Sequence, residues 1–192
     1  GQNGTNGGSS CSGGDGGAGG PGGGGGGGGG VKETSCSGGS ITFDAASSFT
    51  TQNDTATFNH TIGGGADRLL VVCAAVEGNS PAYDVTAVTY NGVAMTRAVE
   101  RTVGTNPAMN TEIWYLLDAN LPPAGTYTVS VTTSSGSIEV NAGVISVTGA
   151  KQQGPEATAS NTDGQTGAST IPTTITTVTN GAWVFDCVGS GN

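Results

Sequence analysis

Charge is scarce in this sequence, and positive charge scarcest of all. Asp, Glu, Lys and Arg together make up 10% of the residues, only 5 of them Lys or Arg, leaving a formal net charge of −9. A phosphate backbone would find almost no counter-charge on such a chain, which excludes nucleic-acid binding. Solubility must rest on hydroxyls, amides and glycine backbone, a pattern that suits a Thr-rich extracellular protein. No stretch approaches the roughly 18 consecutive apolar residues that a membrane-spanning helix needs. The first residue is Gly1 rather than Met, which predicts a secreted chain whose signal peptide has been removed. Histidine occurs once, at His60, so any Ser-His-Asp or Cys-His arrangement would have to use it. No G-x-S-x-G elbow accompanies it, and its place beside Phe58 in an alternating segment reads as a sheet residue. The 4 cysteines, Cys11, Cys36, Cys73 and Cys187, form no C-x-x-C pair and lie far from His60 in sequence, against zinc ligation. No enzyme class is recognisable, and no metal or cofactor is expected.

What the chain has in excess is glycine. There are 37, crowded toward the start, and residues 22–30 are all glycine. The first thirty residues carry no aliphatic side chain beyond Ala18 and Pro21 and no periodicity, so alone they cannot offset their ordering entropy. At about 3.3 Å per residue such an arm reaches roughly 100 Å. Only backbone hydrogen bonds and close packing can order polyglycine, and both need a partner at short range. The chain therefore divides into a glycine-rich extended arm, residues 1–39, and a body, residues 40–192.

The body is rich in Val, Thr, Ala, Ile and Ser, residues that suit a pleated, half-buried surface. Strands are expected at 40–44 (SITFD), 55–62 (TATFNHTI) and 68–76 (RLLVVCAAV). The last is a continuous apolar run that should be a central strand buried on both faces. Residues 85–90 and 93–103 flank Asn91-Gly92, the dipeptide that best accepts positive φ at both centres of a type I′ turn, and so predict a hairpin. Further strands follow at 111–117 (TEIWYLL), 126–132 (TYTVSVT), 137–148 (SIEVNAGVISVT, bent at Gly143), 171–179 and 182–188 (AWVFDCV). About ten strands without a helical window predict an all-β, two-sheet antiparallel sandwich, jelly-roll-like or Ig-like.

Candidate chemistry is thin. The carboxylates, including Asp44, Asp67, Glu77, Asp84, Glu112, Asp118, Glu139 and Asp186, stand singly rather than in a local motif. Residues 161–165 (NTDGQ) resemble the start of a calcium loop, but Pro172 takes the place of the closing Glu, so a turn is expected there. Trp114, Tyr115 and Trp183 could stack on sugar rings, although both tryptophans lie in segments expected to serve the core. Asn3, Asn53 and Asn59 each open an N-x-Thr glycosylation acceptor. An even number of cysteines in a secreted chain favours disulfides, of which four allow three pairings, against burial as free thiols.

The segments SITFDAASS, FNHTIGGGADRLLVVCAAVE, VTAVTYNGVAMTRA, EIWYLL, GTYTVSVT, AGVISVTGA and GAWVFDCVG, spanning about residues 40–189, resemble a family of uncharacterised bacterial secreted β-sandwich domains found in extracellular and surface proteins. The resemblance implies the sandwich fold and supplies no catalytic residues. Relatives usually continue past the AWVFDCV-like strand, which implies either that further residues follow Asn192 or that a neighbouring chain supplies the missing strands. Cys73 and Cys187 stand where the family has Val, Gly or Ala, on strands expected in the core, which implies that they pair with each other. Cys11 would then pair with Cys36, or each with a cysteine of another protomer. The expected function is a structural protomer of an extracellular bacterial fibre or surface assembly, self-associating as a homo-oligomeric helical fibre through the arm and possible strand exchange. The alternative is a secreted adhesin or carbohydrate-binding module on a flexible tether, with a glycan as partner.

Overall fold

The computed structural model describes residues 40–53, 55–80, 83–104, 107–134, 139–164, 167 and 170–190. The glycine arm lies outside these residues, and with it Asn3, Cys11 and Cys36. The described chain is all-β. Its strands are β1 (Thr42–Thr51), β2 (Thr55–Ile62), β3 (Leu69–Gly78), β4 (Val85–Tyr90), β5 (Val93–Ala94), β6 (Thr96–Gly104), β7 (Ala108–Leu117), β8 (Gly125–Thr133) and β9 (Glu139–Thr148), with one 3-10 turn at Asp118–Asn120. They form two sheets, of order β1-β9-β3-β7-β6 and β2-β8-β4-β5. Every pairing is antiparallel.

Period-2 alternation drives the layering. Along β7 buried and half-buried residues alternate without exception, with Trp114 and Leu116 on the inner face. The same face of β3 contributes Leu70, Val72, Ala74 and Val76, and β9 contributes Val140, Ala142 and Val144. Opposite them, in the same core, lie Ala56, Val88, Tyr90, Val129 and Val131 of the four-stranded sheet. The two sheets therefore face each other across one shared core in a sandwich-like arrangement.

Asn91 and Gly92 have φ of 51° and 75°, so the hairpin turn uses the positive φ that this dipeptide supplies. The strand expected at 93–103 is two strands. After β5 the chain buries Met95 and crosses from one sheet to the other, where β6 pairs with β7. At Gly143, where a bend is expected, β9 keeps an unshifted ladder with β3, so no bulge interrupts the strand there.

The larger correction concerns residues 171–179 and 182–188, which form no strand. Both flanks of β3 are already taken, by β7 and β9. This C-terminal segment instead lies across the outer face of the five-stranded sheet, where Leu69, Val71, Ile113 and Tyr115 meet Trp183 and Phe185 along a groove. Gly189 packs so closely on the side chains of Thr111 and Met109 that an added Cβ would force them to shift.

Cys73, on the outer face of β3, is bonded to Cys187, with Cα atoms 5.4 Å apart. Cys187 belongs to this overlying segment rather than to a core strand, so the bond staples segment to sheet. The crosslink closes a loop with a sequence separation of 114 residues. Constraint of the unfolded chain by a loop of that size contributes about 2–5 kcal/mol. The double variant Cys73→Ser, Cys187→Ser should lose stability in that range in urea denaturation, with both sheets retained by circular dichroism.

Candidate functional site

Among the buried polar side chains, Glu112 and His60 each organise a cluster that joins the two sheets. The first forms where β6 and β7 meet the start of β4. Position 112 on β7 faces inward, between Asn110 and Trp114 on the same face, so the Glu112 side chain is drawn into the interior with 0% exposure. On β6 a bulge between Arg97 and Val99 inserts one residue into the ladder. Three residues apart in a regular strand, Arg97 and Glu100 would face opposite ways. The bulge puts both on one side, Arg97 opposite Trp114 and Glu100 opposite Glu112. Asp84, just ahead of β4 in the other sheet, completes the group.

The contacts are dense. Arg97 Nη1 lies 2.8 Å from Glu100 Oε2, 3.6 Å from Glu112 Oε2 and 3.9 Å from Asp84 Oδ1. Its guanidinium carbon stands 5.8 Å from the centre of the Trp114 ring. Trp114 Nε1 donates to Glu112 Oε2 at 2.7 Å. Asn110 Nδ2 donates to Asp84 Oδ1 at 2.9 Å and to Glu100 Oε1 at 3.4 Å. One oxygen from each of Asp84, Glu100 and Glu112 lies within 4.8 Å of the others. Burial first, then a hydrogen bond shared with the Asp84 carboxylate and its charge, push the Glu112 carboxyl up to about 8, against the opposing pull of Arg97 and the Trp114 N–H. In the sequence Asp84 and Glu112 stand as isolated carboxylates, and no motif there singles out Arg97, Glu100 or Asn110. The only signal was an acidic residue at an inward position of an alternating strand, beside a tryptophan.

The second cluster centres on His60, fully buried on β2. Its Nδ1 lies 3.0 Å from Ser47 Oγ and its Nε2 3.1 Å from Ser146 Oγ. Ser146 in turn donates to Asp44 Oδ2 at 2.6 Å. Both ring nitrogens are thus held by hydroxyls from β1 and β9, tying one sheet to the other. Desolvation lowers the imidazole pKa below its usual 6.5, opposed by the charge of Asp44. A histidine enclosed in this way is a structural bridge.

Other candidate residues are dispersed. Asn53 and Asn59 are exposed. Asn161 Nδ2 donates to the Pro172 carbonyl, and Gly167 N–H donates to Asp163 Oδ2. The three aromatics do not come together. Trp114 is in the core, whereas Tyr115 and Trp183 line the outer groove, and Trp183 is 42% exposed rather than buried. No protein-family model matches the chain, and no curated protein or solved structure gives a significant match.

The two clusters give opposite pH dependences. Glu112 binds its proton more tightly folded than unfolded, so its stabilising contribution is full below pH 4.5 and is lost as pH rises through about 8. Glu112→Gln should flatten that decline in urea titrations between pH 5 and 8.5 and stabilise the fold at the upper end. His60 binds its proton less tightly folded, so its contribution is full above pH 6.5 and falls as pH drops below that value. A loss of stability below pH 6.5 should follow, and should vanish in His60→Gln.

Proposed function

We propose that the chain is a structural protomer of an extracellular bacterial fibre or surface assembly, as its resemblance to bacterial secreted sandwich domains implies. The observation that carries this reading is the state of residues 171–190. They have strand-like composition, yet among the described residues the backbone–backbone hydrogen bond within this stretch joins Ala182 N–H to the Thr179 carbonyl, at 3.3 Å. Residues 171–180 are all exposed. Val178, Val184 and Val188 are 79%, 57% and 72% exposed. Apolar side chains beside backbone that joins no ladder are the features that strand addition by a second copy would satisfy. β1 and β6 are the edges of the larger sheet and offer ladders for such pairing. The glycine arm, by its reach, would add a second connection between copies. The disulfide favours an oxidising compartment, and no described helix is long and apolar enough to cross a membrane.

In negative-stain microscopy and sedimentation the full chain should form ordered assemblies. Val178→Ser, Val184→Ser, Val188→Ser combined, or deletion of residues 1–30, should leave a folded and soluble body that does not assemble. A monomeric full chain, or variants that assemble like it, would contradict the proposal. A second reading, a carbohydrate-binding module, draws on Tyr115 and Trp183 along the outer groove. It predicts quenching of Trp183 fluorescence by polysaccharide, lost in Trp183→Ala.

A further inference from the structure

The two sides of the sandwich protect their open edges unequally. On one side β6 ends the larger sheet, carrying Arg97, Glu100 and Arg101 and a bulge between Arg97 and Val99, and β5, which ends the smaller sheet, is 2 residues long. Charge, bulges and short length are the devices by which sheet edges avoid pairing with other chains. The opposite side is formed by β1 and β2 and has little of this. β2 holds no Asp, Glu, Lys or Arg. β1 runs for 10 residues, and its one charged side chain, Asp44, is engaged by Gly63 N–H at 2.8 Å and Ser146 Oγ at 2.6 Å. From Ala45 to Thr51 its ladder with β9 is unbroken, and among the described residues β1 pairs with no other strand. Phe49 lies opposite the buried Ala142 and so faces inward, yet it is 39% exposed and stacks on Phe58 of β2 at 5.6 Å. A further strand laid along β1 would cover it.

We propose that β1, and not β6, is the edge that accepts residues 171–178 of a second copy; the inference rests on the fibre reading above and names its docking site. That segment (IPTTITTV) is exposed, joins no ladder in its own chain and holds no charged residue. Two chains that each carry a net charge of −9 approach most readily through strips without charge, whereas at β6 the segment would meet three charged side chains. Alternation sets Ile171, Thr173, Ile175 and Thr177 on one side of the segment. Laid along β1, it can turn Ile171 and Ile175, 40% and 37% exposed in the single chain, toward the inner face beside Phe49. Pro172, which lacks an N–H, falls at the start of the added strand, where a ladder tolerates it. Donor and acceptor also lie apart. The C-terminal segment covers β3, β7 and β6, and β1 is at the far end of the same sheet. Each added copy therefore presents a new free edge, so the contact propagates head to tail, whereas pairing of β1 with β1 would close as a dimer.

Hydrogen exchange and sedimentation on the full chain test the edge and its occupant separately. On assembly, the amides of β1 that face away from β9 should slow about tenfold or more, while those of β6 are unchanged. A synthetic peptide of residues 170–179, added to the unassembled chain, should slow the same β1 amides and raise the concentration needed for assembly. Ala46→Lys, Ser48→Lys combined, at exposed positions of β1, should raise that concentration about tenfold, because charge on an edge blocks pairing. Thr86→Lys, Thr96→Lys, which adds the same charge at exposed positions of β4 and β6, should leave it within about twofold. A β1 variant that assembles like the unaltered chain, or protection at β6 in place of β1, would overturn the inference and leave the fibre reading intact. So would protection of β1 that the peptide cannot reproduce, because the arm or β1 of a second copy would then hold the edge. A full chain that stays monomeric would overturn both. Should the β1 variant fail to fold by circular dichroism, exchange and peptide binding in the unaltered chain decide the matter.

Discussion

A strand that is apolar on both faces has to be covered on both, and β3 imposes that requirement on this fold. Its inner residues, Leu70, Val72, Ala74 and Val76, are buried by the opposing sheet. Its outer residues, Val71 and Ala75, are 7% and 8% exposed. An ordinary two-sheet sandwich would leave that second face to solvent. Here the C-terminal segment covers it, held by the Cys73–Cys187 bond and by close packing at Gly189 rather than by a ladder. Backbone groups of that segment find substitutes in side chains. The Glu156 carboxylate accepts from Val178 N–H at 2.7 Å and from Thr179 N–H at 3.0 Å. The cover is thus fixed in place yet only partly paired, and its exposed valines follow from the same compromise.

Two of the polar clusters in the interior join sheet to sheet. His60 reaches from the four-stranded sheet to Ser146 of the five-stranded one. Asn110, in the five-stranded sheet, reaches Asp84 ahead of β4. Buried polar groups cost free energy unless every atom finds a partner. The His60 cluster meets that condition at both ring nitrogens, which suits a structural bridge. The Glu112 cluster leaves Asn110 Oδ1 and Glu112 Oε1 without such a partner.

Much of the fold was legible in residue alternation. β2, β3 and β8 follow from Phe58, the RLLVV run and TYTVSVT, and Asn91-Gly92 located its hairpin because only positive φ closes so tight a turn. The crossing at Met95 was not legible, since nothing local distinguishes a strand that continues from one that changes sheets. Residues 171–188 misled because alternation reports apolar burial and not hydrogen-bond partners. Resting on the face of a sheet demands the same side chains as joining its edge. The carboxylate cluster was hidden for a related reason. Asp84, Glu100 and Glu112 meet only through a β-bulge and the packing of two sheets, which no spacing in sequence encodes.

In the proposed assembly, backbone of the C-terminal segment that joins no ladder in one chain is paired between chains. Hydrogen exchange followed by mass spectrometry tests it most directly, comparing the isolated chain with the assembled form. In the isolated chain, amides of residues 173–177 and 183–186 should exchange rapidly while those of β3 and β7 are protected, and assembly should slow the former strongly. Protection of that segment in the isolated chain equal to that of β3, or its undiminished exchange in the assembly, would contradict the account.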